Sequence, residues 1–585
     1  MAIFEQETAK KVLLDDTECL SCVIENWRNI NGHIEYTIRV QRGPFRYNTW
    51  IVNKRYNDFV NLQSQLQISG IPLPLPPKKF IGNLNPEFVS ERQKGLQKYL
   101  NTILMNPILM SSLPAKAFVD PANYCRPFGE IALQHVSLAL RSEVGWEVIG
   151  PLDDIGWRIR KHYYQVRNKN TPKNEKLASW TEYGPDKYLS EKDMQAVFKS
   201  LSLMQHPFVQ PIDLCLCTDV GGLVVRPFFK DGSLRDILYD SKPKQPFMKK
   251  YGNSKAHNHL DNAQIALYGR QILEAIKFLH DKGLPYGHLH ASNILIDEGR
   301  AKLLDIENGI LGVPSYYRPY FMQHRKIFSL QSIDVYCFGH TLYEMTFGVP
   351  LRDISLNELP GECSPELKKV LESILSAEAC KTGLPTIENL LSMPFFQKVA
   401  LVFNSEDKAQ LKIPSSIKER LKNVQAQIEE RLKDEQKMMR SQKRMSKVQE
   451  MMSSEEEKKK QRHKRRQEQK LQSQRSIQEK EKEKDDGMNG ERSDSVNSAS
   501  TVTSVGTITP PSMSDAPNVL SSPPPPAPPF SAPAPPPPPP PLLNGSSKPP
   551  DLSAVSKDRS ALLGAICNFD KSALRKTSKK SSSVT

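Results

Sequence analysis

Near the start of the chain, a few residues have the chemistry to hold a polyphosphate. Lys54-Arg55-Tyr56-Asn57-Asp58-Phe59 follows a β-rich run and opens a helical pattern. A helix N-terminus favours anions through its free N–H groups and its dipole. An arginine there offers a planar fork that can take a phosphate bidentately, and the adjacent Tyr56 offers a flat face to a sugar ring. Pro76-Pro77-Lys78-Lys79 and Glu91-Arg92 place further cations on separate elements. Arg55, Lys78 (with Lys79 a rival by one residue) and Arg92 can therefore converge on one polyphosphate.

The elements that must position them read clearly. Strands are predicted near Cys19–Trp27, His33–Arg42 and Tyr47–Asn53, separated by Asn31-Gly32 and Arg42-Gly43-Pro44. Helical patterns follow at Tyr56–Leu66 and Pro86–Met105. Between them, Ile71-Pro-Leu-Pro-Leu-Pro-Pro77 favours polyproline II, and Ile71, Leu73 and Leu75 are expected to dip into a membrane interface. The block over residues 14–125 resembles a PX (phox homology) domain. The resemblance implies that Arg55 binds the 3-phosphate of a phosphoinositide, Tyr56 packs on the inositol ring, Lys78 binds the 1-phosphate and Arg92 the ring hydroxyls. Phosphatidylinositol 3-phosphate is the ligand it implies first.

A second set of residues lies further on. Tyr286-Gly287-His288-Leu289-His290-Ala291-Ser292-Asn293 precedes Lys302-Leu303-Leu304-Asp305-Ile306-Glu307, and Asp334-Val335-Tyr336-Cys337-Phe338-Gly339 opens a helix. Helical periodicity marks 190–203, 263–282, 333–347 and 365–374, and residues 295–304 read as a strand pair. Residues 145–400 resemble a bilobal protein kinase domain with parts missing. His288 stands where the family has its catalytic aspartate. Asn293 and Asp305 keep the metal-ligand positions, and a residual magnesium–nucleotide site is one reading of them. Phosphoryl transfer needs parts that position and neutralise phosphate. The loop near Gly150–Val166 instead carries Asp153 and Asp154, Lys161 and Lys176 are poor candidates for the clamp lysine, and Glu191 is the candidate helix glutamate. The expectation is a pseudokinase scaffold with no catalytic residues and no required cofactor. The alternative is an unorthodox kinase using His288 as base, since imidazole titrates near neutrality. Asp334 is expected to bond the backbone of the catalytic loop.

The 585 residues carry a formal net charge of +15, which favours acidic partners. No signal peptide, transmembrane run, myristoylation glycine or prenylation box is expected. The nine cysteines are scattered, and the lone Cys19-x-x-Cys22 pair suggests no zinc site, so a reducing compartment is expected. Residues 405–485 read as a solvated basic helix or coiled coil whose apolar positions are too sparse for a heptad; the run Lys458–Arg466, at its most basic, reads first as a solvated charge run, with nuclear import or an anionic membrane as the alternatives. Nucleic acid is disfavoured as its partner, because no aromatics interleave the charges. Residues 486–548 are Ser- and Pro-rich and disordered by composition, with proline runs that suit profilin, SH3 or WW ligand sites.

Residues 549–578 resemble a WH2 motif. Leu562, Leu563 and Ile566 line one helical face, and Leu574-Arg575-Lys576 follows as a basic strip. That resemblance implies an actin monomer as partner. The order of parts is similar to that of the PX-domain-containing protein kinase-like family. It implies a cytoplasmic protein, peripheral on endosomal and plasma membranes, acting in trafficking, and a link to Na,K-ATPase β subunits. The fold expected is multidomain α+β.

Overall fold

The computed structural model describes residues 14–78, 84–252, 257–403 and 407–485. The actin-motif residues Leu562, Leu563, Ile566, Leu574, Arg575 and Lys576, the proline tract and Lys79 lie outside the described residues. The mixed α+β expectation holds. β1 (Leu20–Ile30), β2 (His33–Arg42) and β3 (Thr49–Arg55) form an antiparallel sheet in that order. Alternation puts Tyr36, Ile38 and Val40 of β2 into the core. There they meet Phe59 and Leu62 of α1 (Tyr56–Leu66) and Leu96, Tyr99 and Leu100 of α2 (Pro86–Met105). Ile71, Leu73 and Leu75 pack against this core. That corrects the expectation of a membrane-dipping loop: every second residue of the extended stretch faces inward, and burying it is worth more than exposing it.

The second body has two lobes. Its five-stranded antiparallel sheet runs β4 (Trp146–Leu152), β5 (Lys161–Asn168), β6 (Lys176–Glu182), β8 (Gly221–Pro227) and β7 (Leu214–Cys217). α3 (Phe128–Arg141), which sequence periodicity had not singled out, covers one face through Ala132, Val136 and Leu140. α4 (Glu191–Ser202) follows the third strand of this sheet. The helical lobe is built on α5 (Asn262–Asp281) and the almost wholly buried α6 (Leu330–Phe347), with the hairpin β9 (Ile294–Asp297)–β10 (Arg300–Leu303) at the lobe boundary.

α7 (Ser415–Asp485) departs from the sequence expectation. Ile417, Leu421, Ile428 and Leu432 are buried in the same core as the helical lobe. Gln436, fully buried, donates to the carbonyls of Ile327 (2.8 Å) and Phe321 (3.3 Å). Arg420 pairs with Asp193 of α4 at 2.5 Å, and Arg431 pairs with Asp186. The first third of the charged helix is thus a docked element rather than a solvated one. Its apolar residues are few, but they recur at i, i+4, i+7 and i+11, which is enough for a single narrow seam against a preformed groove.

Truncating Leu432 to Ala removes a buried side chain and costs about 2–5 kcal/mol. Thermal unfolding of the full chain should show a midpoint several degrees lower for Leu432→Ala and unchanged for the exposed Met445→Ala. Equal midpoints for both would mean that the helix is not part of this fold.

Candidate functional site

The first site grows from the junction of β3 and α1. Arg55 is the N-cap of α1, and its backbone N–H donates to the Asp58 carboxylate at 2.7 Å. The positive end of this helix is therefore partly answered by the chain's own carboxylate. The Arg55 side chain is exposed and forms no ion pair among the described residues. Next to it, the Tyr56 hydroxyl donates to the Pro76 carbonyl at 2.5 Å, which ties the proline loop to the start of the helix. The Arg92 guanidinium lies between two rings, 4.4 Å from the centroid of Tyr56 and 4.3 Å from that of Phe88. One of its nitrogens reaches the Pro77 carbonyl at 3.5 Å. Arg92 is buried, and its Nε has no hydrogen-bond partner among the described residues. Burial raises the Tyr56 phenol above its ordinary value, against the opposing pull of Arg92. Lys78, exposed, sits at the end of the same loop. Gly95 makes this approach possible: a Cβ there would meet the Pro76 ring at 2.5 Å. The structure therefore gathers Tyr56, Arg92 and the Pro76–Lys78 loop, with Arg55 beside Tyr56. It also makes Arg92 a supported, stacked cation rather than a loose surface one.

The second site is the cleft between the two lobes. Asp334, fully buried at the start of α6, accepts from the backbone N–H groups of Tyr286 (2.9 Å) and Gly287 (2.5 Å) and faces His280 Nε2 at 2.7 Å. It holds the loop as expected. The rest of the cleft is filled by ion pairs. β6, the third strand, presents Ser179 to the cleft. Lys161, set aside on sequence spacing, comes instead from the start of β5, and its Nζ lies 2.5 Å from Asp305 Oδ2. Arg226 of β8 stands 3.8 Å from Asp305 Oδ1 and grips Glu307 with both nitrogens, at 3.1 and 2.5 Å. Burial alone would raise the Asp305 carboxyl, but Lys161 and Arg226 outweigh it and hold the group below the usual carboxylate range. Lys176 points away to Asp213, and Glu191 is exposed at the first turn of α4, outside the cleft.

His288 is also committed. Arg158, from the loop that replaces the glycine-rich one, donates to His288 Nδ1 at 3.2 Å and to the Pro314 carbonyl at 2.6 Å. A guanidinium can only donate, so Nδ1 is the acceptor and the neutral ring carries its hydrogen on Nε2. Burial first, then Arg158, pushes the proton affinity of His288 well below its ordinary value. Asn293 gives its amide hydrogen to the His288 carbonyl at 3.0 Å. The Trp157 ring packs edge-on against Tyr316, 5.1 Å between centroids, and Arg158 lies 4.3 Å over the same indole. What remains between the lobes is a cavity of about 130 Å³.

Residues 43–121 match the family model described as PX domain, and residues 185–364 match the one described as protein tyrosine and serine/threonine kinase. The second match begins after β6. The chain is similar to the mouse and rat proteins named PX domain-containing protein kinase-like protein, at 49% identity over 449 residues, which covers 77% of this chain and 77% of each relative. It is also similar to the Drosophila melanogaster Slowpoke-binding protein, at 30% identity over 281 residues, or 44% of this chain and 53% of that one. A Dictyostelium discoideum protein named "Probable inactive serine/threonine-protein kinase slob1" is 32% identical over 291 residues, covering 44% of this chain and 48% of its own.

Two outcomes follow from the cleft. Lys161→Met leaves Asp305 buried with one cation fewer and should cost roughly 3–5 kcal/mol, read as a lower unfolding midpoint that Lys161→Met with Asp305→Leu largely restores. A single variant as stable as the parent would show that the pair is not buried. The second outcome concerns pH. Burial pushes His206 down to about 4 and His340 to about 3, and it drives His288 and His290 well below their ordinary values. The unfolded chain takes these protons near pH 6.5, and the folded chain does not. Stability is therefore full above about pH 6.5 and falls as the pH drops from there toward 4. Midpoints that stay level between pH 7 and 5 would contradict the buried neutral histidines.

Proposed function

The chain belongs to the PX domain-containing protein kinase-like family, and from that premise we propose that it is a peripheral membrane adaptor. Its PX domain takes a phosphoinositide, and its kinase-like domain serves as a docking platform without phosphoryl transfer. One arrangement carries the reading: an exposed Arg55 beside Tyr56, whose ring is stacked by Arg92 and whose hydroxyl is tied to the loop that ends in Lys78. In this reading Arg55 takes a ring phosphate as a bidentate partner, Tyr56 supports the inositol ring, Arg92 reaches its hydroxyls and Lys78 takes the phosphate that joins headgroup to lipid. The 3-phosphate assignment comes from the resemblance of these positions to the PX pattern.

The inactive-platform reading is supported by the fate of each catalytic part. Asp305 has both oxygens answered by cations of the chain, and Arg158 occupies the space in front of His288. A base needs a free lone pair, and on His288 the lone pair of Nδ1 is taken while Nε2 holds a hydrogen. Magnesium–nucleotide does not suit this cleft as it stands, so no step is assigned to it. A platform needs clients, and one relative is named for binding Slowpoke. By resemblance, Na,K-ATPase β subunits are candidate clients on this chain, and endosomal and plasma membranes are its places of work. The actin reading rests on the residues from Leu562 to Lys576 alone. No helix among the described residues is long and apolar enough to cross a membrane.

Full-length chain co-sedimented with neutral phosphatidylcholine vesicles holding one phosphoinositide at a time should bind a 3-phosphorylated lipid. Loss of a charge-assisted bidentate contact predicts at least tenfold weaker binding for Arg55→Gln. Binding that ignores both headgroup and substitution would remove the lipid site. In the same preparation, phosphorylation of itself or a generic substrate that is lost in His288→Ala would overturn the platform reading.

A further inference from the structure

α7 has two faces, and only one of them is used by the fold. Taking 100° per residue, Ile417, Leu421, Ile428, Leu432 and Gln436 share one side, the side that docks. A second apolar set points about 100–175° away. Met438, Met445, Val448 and Met451 are 47%, 64%, 54% and 59% exposed. Lys443 still touches the helical lobe, its ammonium donating to Gln323 at 3.2 Å. About 20–35 Å further along the helix comes the run from Lys458 to Arg466. Lys458, Lys459, Lys460, Arg462, Lys464 and Arg466 are all exposed. Lys464 faces Glu468 at 4.0 Å, and Glu455, Glu456 and Glu457 directly precede the run. No Asp or Glu interrupts the run.

We propose that this projecting part of α7 is a second membrane contact that lies on an anionic bilayer, independent of the phosphoinositide site. Exposed apolar side chains followed by a dense cationic run are what an interfacial helix presents to lipid: thioether and aliphatic groups enter the headgroup boundary, and each lysine or arginine near the surface adds about 1 kcal/mol of attraction. A second copy of the chain is a poorer occupant, because pairing would set like-charged runs near one another. Nucleic acid is poorer too, because residues 440–485 contain no Phe, Tyr or Trp on which a base could stack. The docked part of the helix gives this contact its leverage. Arg420, Arg431 and Glu435 fix α7 to the two-lobed body, which Asp15 and Asp16 tie to the domain that carries Arg55, so the two contacts act on one membrane with an effective concentration set by a stiff connection.

The test uses the full chain carrying Arg55→Gln, so that the headgroup site is silent, with phosphatidylserine-containing vesicles free of phosphoinositide. Binding should persist and fall steeply with salt. Lys458→Gln, Lys459→Gln, Lys460→Gln and Arg462→Gln together should weaken it at least tenfold. Met445→Gln with Val448→Gln should weaken what remains at physiological salt. All of these positions are exposed, so the unfolding midpoint should not move. The parent chain on neutral vesicles with a 3-phosphorylated lipid reports the PX site separately. No binding of the Arg55→Gln chain to phosphatidylserine vesicles, or binding indifferent to the glutamine substitutions, overturns the proposal. Tighter binding to a short single-stranded RNA than to vesicles at the same salt overturns it in favour of nucleic acid.

Discussion

Two consecutive carboxylates at the start of the described chain reach both lobes of the kinase-like domain. Asp15 lies 2.5 Å from Arg318 of the helical lobe, and Asp16 lies 3.1 Å from Arg160 of the sheet lobe. Asp16 is itself held from the PX side, accepting from the Tyr124 hydroxyl at 2.8 Å while its carbonyl takes the Lys116 ammonium at the same distance. Arg318 is buried and needs more than one anion, and Glu435 of α7 supplies the second at 2.5 Å. A buried guanidinium with one partner removed is expensive. The PX domain, both lobes and α7 therefore share one set of charges, and none of them can shift far without stranding a neighbour's charge.

That constraint explains why the cleft can be so different from a phosphate-transfer site. A kinase hinges its lobes around a nucleotide whose phosphates and metal neutralise the catalytic charges. Here the lobes are held by the aspartate strap, and the charges are neutralised internally. Lys161 and Arg226 answer Asp305 and Glu307, and Arg158 fills the space before His288. The same cations would otherwise repel one another in a low-dielectric interior, so the ion pairs are what permit the lobes to close on so small a void.

α7 extends the same logic outward. Its docked third completes the core of the helical lobe, with Leu421, Ile428 and Leu432 in the shared apolar cluster. Its remainder carries the positive charge that the docked third does not use. A single helix thus turns a large part of the chain's net charge, +15 in all, into a directed feature fixed to the helical lobe.

Local order was legible in the sequence because it rests on short-range rules. Alternation set β1 to β3, turn residues set their ends, and i, i+4 patterns set α1, α2, α5 and α6 almost to their observed limits. Arg55, Tyr56, Lys78, Arg92 and His288 could be proposed as site positions from the sequence because each sits at a motif position within one domain. The tertiary structure decided what depends on partners far apart in the chain. Lys161 meets Asp305 across 144 residues, Arg158 meets His288 across 130, and Arg431 meets Asp186 across 245. No spacing rule connects such pairs. The inward turn of Leu73 and Leu75 and the docking of a helix that reads as solvated were hidden for the same reason: burial is a property of the surface that arrives to cover a residue, and that surface is assembled only when the lobes, the strap and the helix come together.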